Sequence, residues 1–296
     1  MPNRYFNFLG FFSQYLLLFV AYCCFFTSHA QSLGNNNFDR LTVEDGLSQN
    51  SVNCIFQDSR GFIWFGTQDG LDRYDGYTVK SYKHNPNNKN SLTDNFVWVI
   101  YEDKMGNLWV GTQNGLSKFN PISQLFVNYT HQPNNKNSLL HNKVFALLQD
   151  NKGNLWVGTE AGLSILNLEK QQFTHHTFQY TEATNAAVHD LHHTQKGEIL
   201  AATFGAGLQV YYPTSNTFKL HNAYLPTYKN DFVQNIFEDK KGDLWLATTQ
   251  GIRKITDNIA MKAIVHSLSQ PSITNNHITA VVQDETESIW VGTLGG

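Results

Sequence analysis

Apolar and polar residues alternate in short runs along nearly the whole chain, and each run is bounded by Asp, Asn or Gly. Val52-Asn53-Cys54-Ile55-Phe56 leads into Asp58-Ser59-Arg60-Gly61 and then Ile63-Trp64-Phe65-Gly66-Thr67. A period of two in runs this short predicts half-buried strands, and no 3.6-residue period competes with it. Asp opens a tight turn by accepting hydrogen bonds from the backbone ahead of it, and Gly supplies the left-handed residue at its end, so the two runs form a hairpin. Thr67-Gln68-Asp69-Gly70 predicts a second turn into a third strand at residues 71–74, with a fourth at 77–82. The same grammar recurs at Asp103 to Gly106, at Asp150 with Gly153 and at Asp239 with Gly242. Trp64, Trp109, Trp156, Leu200, Trp245 and Trp290 hold one place in it, at spacings of 45, 47, 44, 45 and 45 residues. Four short strands in a unit of about 45 residues predict the blades of an all-β propeller. About six repeats are present, the last incomplete at the C-terminal end.

A large ring repeated at one place in each blade fills the space between adjacent sheets, as stacked repeats require. Trp98 falls outside that register. Cys54 takes a place held elsewhere by Val99, Ala146 and Ala280, so it reads as a small buried residue. Residues 38–43 offer an outer strand to a final blade. Between blades, His84 to Leu92 nearly duplicates His131 to Leu139, both rich in Asn, Pro and Ser and therefore loops.

Composition narrows the function. With 41% hydrophobic and 15% charged residues and a net charge of −3, the chain is not disordered. A near-neutral balance also argues against a nucleic-acid binder. Residues 1–30 carry a lone Arg4, an apolar run of 12 residues from Tyr15 to Phe26, and Ser28-His29-Ala30, the pattern of a cleaved secretory signal peptide. The alternative is an uncleaved anchor, but that run falls short of the roughly 20 residues a spanning helix needs. Tyr22 before Cys23 is too large for lipoprotein processing. Cleavage leaves residues 31–296 as the propeller, with net charge −4 and Cys54 alone, so no internal disulfide holds the exported fold.

The repeated unit, as in Asp103 to Leu116 and Asp150 to Leu163, resembles the two-component regulator propeller repeat. The opening Leu41-Thr42-Val43-Glu44-Asp45-Gly46-Leu47-Ser48 is similar to the start of such domains. The resemblance covers residues 38–296. It implies the extracytoplasmic, periplasmic sensor region of a hybrid two-component histidine kinase, with a glycan or other small polar ligand. It also implies further propeller, membrane and kinase domains as partners within a longer protein, and a homodimer formed through them. The chain stops at Thr293-Leu294-Gly295-Gly296, inside a repeat, and reads as the front part of such a protein or as a prematurely ended gene product.

Loops from the second to the third strand share a face with loops from the outer strand to the next inner strand, and ligands of propellers bind there. The first set carries Gln68, Asp69, Gln113, Asn114, Glu160, Phe204 and Gln250. The second places Asn50, Asn95, Asn142, Asp231 and Asn276 two residues before each inner-strand Val or Ile, with Ala186 in the fourth unit. Amides interspersed with aromatics suit a neutral hydroxylated ligand, while the competing reading is that these Asn residues bond to their own loops. The fourth unit lacks Trp and the turn Asp, carries an extra residue in Thr203-Phe204-Gly205-Ala206-Gly207, and gathers His175, His176, His189, His192 and His193. Adjacent strand residues point to opposite faces, so His192 and His193 do not readily share an ion, and no metal or other cofactor is expected. The turn also resembles the Asp-box of sialidases, but Arg40, Arg60, Arg73 and Arg253 do not form their arginine triad. The expected role is ligand sensing without catalysis. The alternatives are a stand-alone secreted protein- or glycan-binding module and, third, a propeller lyase or glycosidase.

Overall fold

Each alternating run pairs its backbone with the next run in the chain, which satisfies the N–H and C=O groups that folding withdraws from water. The computed structural model describes residues 40–178, 186–221, 232–257, 259–260, 263–267, 269 and 272–295, so the expected signal peptide lies outside the described residues. Five four-stranded antiparallel sheets follow one another, each with its strands in chain order. Blade 1 comprises Val52–Gln57, Ile63–Thr67, Gly70–Tyr74 and Val79–Tyr82. Blade 2 comprises Val97–Glu102, Leu108–Thr112, Gly115–Asn120 and Leu125–Tyr129. Blade 3 comprises Val144–Gln149, Asn154–Thr159, Gly162–Asn167 and Gln172–His176. Blade 4 comprises Ala187–His193, Ile199–Phe204, Gly207–Tyr212 and Thr217–Leu220. Blade 5 comprises Val233–Glu238, Leu244–Thr248, Gly251–Thr256 and Ile259–Ala260. A sixth sheet has two strands, Ile278–Gln283 and Ile289–Thr293. The first strands pack on one another in order along the inner edge.

Two expectations need correction. Val43 begins a 3-10 turn, Val43–Asp45, capped by the Thr42 and Asp45 side chains, and so cannot lie in an outer strand; Phe38 lies outside the described residues. The outer strand of blade 1 starts at Val79 and not at Tyr77, because Asp75 Oδ1 accepts from the N–H groups of Tyr77 (2.9 Å) and Thr78 (2.7 Å) and holds them in a turn.

The Trp and the turn Asp, read separately in the sequence, form one device. Asp103 Oδ1 accepts from the Met105 and Asn107 backbone N–H groups at 3.0 and 2.9 Å, while its Oδ2 accepts from Trp109 Nε1 at 2.8 Å. The indole bond repeats at Trp64–Asp58 (3.0 Å), Trp156–Asp150 (3.0 Å), Trp245–Asp239 (2.9 Å) and Trp290–Asp284 (2.6 Å). Blade 4 changes both partners together. Thr194 Oγ1 accepts from Glu198 N–H at 3.0 Å, and Leu200, having no donor, stands in the ring's place. Trp64, Trp109 and Trp156 are buried, and Trp64 and Trp156 pack against Phe119 and Tyr211 in the third strand of the following blade. Trp290 is 62% exposed, since among the described residues no blade follows to cover it.

A second device braces the blades on this turn face. The last residue of an inner strand accepts from the turn of the preceding blade. Glu102 takes the Ser59 N–H (2.7 Å), Gln149 the Lys104 N–H (2.8 Å), Glu238 the Gln195 N–H (2.8 Å) and Gln283 the Lys240 N–H (3.1 Å).

These carboxyls give stability a defined pH dependence. Burial raises Asp58, Asp150 and Asp239, but the Trp indole and the turn amides, joined by Arg60 at Asp58 and by Asn154 at Asp150, outweigh it and hold all three below the usual range. A depressed carboxyl contributes stability above its unfolded pKa of about 3.9 and loses it as pH falls through the folded value. Asp190 has the opposite sign. Burial pushes it up to about 6 against donors from Ile236, Leu191 and Asn235, so its contribution is lost as pH rises from about 4 through about 6. Thermal unfolding followed across pH is expected to show stability falling below about pH 4. Between about pH 4 and 6.5 the depressed His189 contributes stability that rises with pH and opposes Asp190. The Asp190 contribution is therefore read as a difference: relative to the unmodified chain, Asp190→Asn should gain stability as pH rises from about 4 through about 6.

Candidate functional site

The inner strands carry a β-bulge at one recurring place, where two residues oppose one on the second strand. The extra residue is Asn53, Trp98, Phe145, His189, Gln234 or Thr279, and the bulge re-aims its side chain along the inner edge of the blades. The result in blades 2 to 5 is a continuous ladder of half-buried rings. Phe96 lies 4.5 Å from Trp98, Trp98 lies 5.4 Å from Phe145, and Phe145 stacks on His189 at 4.4 Å. His189 stacks on Phe204 at 5.4 Å, and Phe204 on Phe232 at 3.9 Å. The additional residue in the blade 4 turn lets Phe204 carry the ladder into blade 5. Burial and the neighbouring Lys143 ammonium depress His189 to about 4, so its ring is neutral near pH 7 and stacks as an uncharged aromatic.

Polar groups edge the ladder. Trp98 Nε1 donates to Gln113 Oε1 at 3.0 Å, and Gln234 Nε2 lies 2.8 Å from His277 Nε2. Lys143 Nζ sits 5.4 Å from the Phe145 ring centre and 3.1 Å from Glu160, whose other oxygen is 3.6 Å from His141 Nε2. Flat uncharged rings beside exposed amides and a fixed charge pair can stack on the apolar face of a sugar ring while bonding its hydroxyls.

The residues expected from sequence fall into two sets. Gln113, Glu160 and Phe204 border or belong to the ladder. Gln68 and Gln250 are exposed on the corresponding loops of blades 1 and 5. The Asn residues instead clamp loops. Asn50 Oδ1 accepts from Val43 N–H (2.9 Å), Asn95 from His84 (2.7 Å), Asn142 from His131 (2.6 Å) and Asn276 from His266 (2.6 Å). Asn95 and Asn142 also donate back to Asp69 (3.1 Å) and Asn114 (3.0 Å) of the preceding blade, which places both loop sets on one face. Asp69 is further held by Lys83 at 2.6 Å. Asp231 lies outside the described residues.

The histidines separate in the same way. His84, His131 and His266 each place Nδ1 against a carbonyl oxygen at the far end of their loop, Leu92, Leu139 and Ile273, at 2.7, 2.7 and 2.6 Å. His192 turns toward Glu238 (3.2 Å) and His193 toward Asn151 (3.5 Å), on opposite sides of blade 4. Among the described residues no group of three His, Cys, Asp or Glu is placed to hold a metal ion. Burial pushes the Cys54 thiol up to about 12, which removes it as a nucleophile. Arg60 pairs with Asp58 at 2.7 Å, and the Arg73 guanidinium lies over the Phe62 ring at 4.5 Å.

Trp98, Phe145, His189, Phe96 and Phe232 were not among the residues expected from sequence. Their signal was present: each of the first three follows the inner-strand Val directly, but alternation alone does not announce a bulge.

The two component regulator propeller family matches residues 46–69, 91–114, 138–161 and 227–250, each spanning an inner strand, its Asp turn, the second strand and the turn after it. Histidine kinase P4 of Formosa agariphila is 42% identical over 85 residues, covering 29% of this chain and 6% of that protein. The extracellular domain assigned to the hybrid two component system BT3049 of B. thetaiotaomicron is 25% identical, with a TM-score of 0.54 over 87% of this chain and 40% of that one. Virginiamycin B lyase of Staphylococcus aureus shares the fold alone, at 17% identity and a TM-score of 0.59 over 82% of this chain and 77% of that one. The chain thus spans less than half of the sensor proteins it matches. Among the described residues no helix is long and apolar enough to cross a membrane. With four matched segments and a fold shared with sensor extracellular domains, the chain carries two component regulator propeller repeats at residues 46–69, 91–114, 138–161 and 227–250.

Proposed function

We propose that this chain is the exported ligand-sensing propeller of a hybrid two-component signalling protein. Its ligand is a neutral glycan or similar hydroxylated molecule, held against the ring ladder. The observation that carries this reading is the unbroken run of ring contacts from Phe96 to Phe232, tilted and edge-on at Trp98 and stacked from Phe145 onward, edged by Gln113, Gln234 and the Lys143–Glu160 pair. Packing alone does not require six half-exposed rings on an inner edge, whereas a sugar-binding platform does. Occupancy couples blades 2 to 5 through one ligand, and a downstream kinase responds if its two states differ in affinity for that ligand.

Isothermal titration of the purified chain against neutral oligosaccharides tests the site. Trp98→Ala removes one stacking face and the indole donor to Gln113. It is expected to weaken binding by about 1–3 kcal/mol, roughly ten- to a hundredfold, without changing the unfolding midpoint. Equal affinity in Trp98→Ala and the unmodified chain would remove the ladder from the mechanism.

A further inference from the structure

The junction between blades 3 and 4 departs from the others on the turn face, opposite the ladder. At four other junctions a Glu or Gln side chain accepts the N–H that follows the turn's first residue. Here His193 stands in that place, and its ring approaches the Asn151 side chain instead, at 3.5 Å. The Asn151 backbone N–H is met by no such acceptor among the described residues. A second filler is also missing. In blades 1, 2 and 5 a long cation opposite the Trp reaches over its ring, with Arg73 at 6.0 Å, Lys118 at 5.3 Å and Lys254 at 4.8 Å. Blade 3 has Ile165 paired with Trp156. The two substitutions leave a cleft of about 580 Å³ floored by Trp156, Ile165 and Tyr211, with Lys152, Lys170 and His193 at its rim.

We propose that this cleft binds a small carboxylate carried on a ring-shaped body. The carboxylate takes the place that Glu102 and Glu238 fill elsewhere, accepting from the Asn151 N–H with Lys152 and Lys170 beside it. The ring lies on Trp156, Ile165 and Tyr211. A volume near 580 Å³ is within the range of small-molecule pockets. Two carboxylates also line the cleft, Asp150, bonded to Trp156 Nε1 (3.0 Å), Asn154 Nδ2 (2.9 Å) and two turn amides, and the exposed Glu198, and Lys152 and Lys170 stand against them. A carboxylate beside a turn Asp is already tolerated at the junction where Glu102 accepts from the turn of Asp58.

The test is titration of the purified chain with benzoate and with glucuronate, each against its uncharged counterpart, benzyl alcohol and glucose. At least one acid is expected to bind, about tenfold or more tighter than its counterpart. Benzoate alone would mark an apolar acid as the ligand type, and glucuronate alone a sugar acid. Lys170→Ala is expected to weaken the acid about three- to tenfold. His193→Gln restores the acceptor used at the other junctions and should abolish binding while keeping the fold, since Gln149 and Gln283 already occupy that place. Trp98→Ala should leave acid binding within about twofold, so failure here and failure at the ladder are separable. Absence of binding by both acids, equal binding of the uncharged pair, or unchanged affinity in His193→Gln would overturn the proposal.

Discussion

Replacing Gly111 with valine is expected to destabilise the chain by about 3 kcal/mol, read as a lower urea midpoint with unchanged slope. A Cβ on Gly111 would lie 2.6 Å from Val99 Cγ1 in its own blade and 2.6 Å from Val144 Cγ1 in the next. Neither neighbour can retreat, because both belong to inner strands packed on further strands. The crowding repeats at Gly66, where Val97 Cγ1 would be 2.6 Å away, and at Gly158, where the Val188 carbonyl oxygen would be 2.8 Å away. This Gly is therefore set by how closely the next blade approaches and not by a left-handed backbone. Ala202 and Ala247, both buried, hold the same place in blades 4 and 5, so the closeness differs between junctions. A Gly111→Val chain as stable as the unmodified one would mean that the blades do not pack this way in solution.

The second large effect concerns the Asp103–Trp109 pair. Trp109→Ala empties the contact among Leu116, Leu139, Val144 and Leu166 and should cost about 3–5 kcal/mol. Asp103→Ala leaves the buried indole N–H and two turn amides without their acceptor, a cost of about 2–3 kcal/mol. Because one carboxylate serves both turn and ring, the double variant should fall short of the sum by about 1–2 kcal/mol. Simple additivity in the double-mutant cycle would separate the turn from the core and contradict the shared role. The exchange of both residues in blade 4, Thr194 with Leu200, is the chain's own version of that double variant.

The architecture was legible because its signals are local. Alternation, Asp-x-x-Gly turns and a fixed spacing each report on neighbours in sequence, and they agree on four-stranded blades. What escaped the reading depends on contacts about 45 residues apart. The Asp–Trp bond spans only six positions and could have been inferred from the joint loss of both residues in the fourth unit. The braces from Glu102, Gln149, Glu238 and Gln283 could not, since nothing in a single repeat shows which turn lies beneath its inner strand. The Asn residues had a visible local reading, and the loop grammar of His84, Ser91 and Asn95 recurs at His131, Ser138 and Asn142 and at His266, Ser272 and Asn276. The ladder was hidden for a different reason. A bulge changes which way Trp98, Phe145 and His189 point, and it follows from the register between strands, not from composition.

The central claim is that ligand lies on the ring ladder across blades 2 to 5. A crystal structure of the chain with the tightest-binding neutral oligosaccharide tests it most directly. The account predicts a sugar ring stacked on Trp98 or Phe145, with hydroxyls bonded to Gln113 or the Lys143–Glu160 pair. An oligosaccharide bound elsewhere, with the ladder left bare, would contradict it.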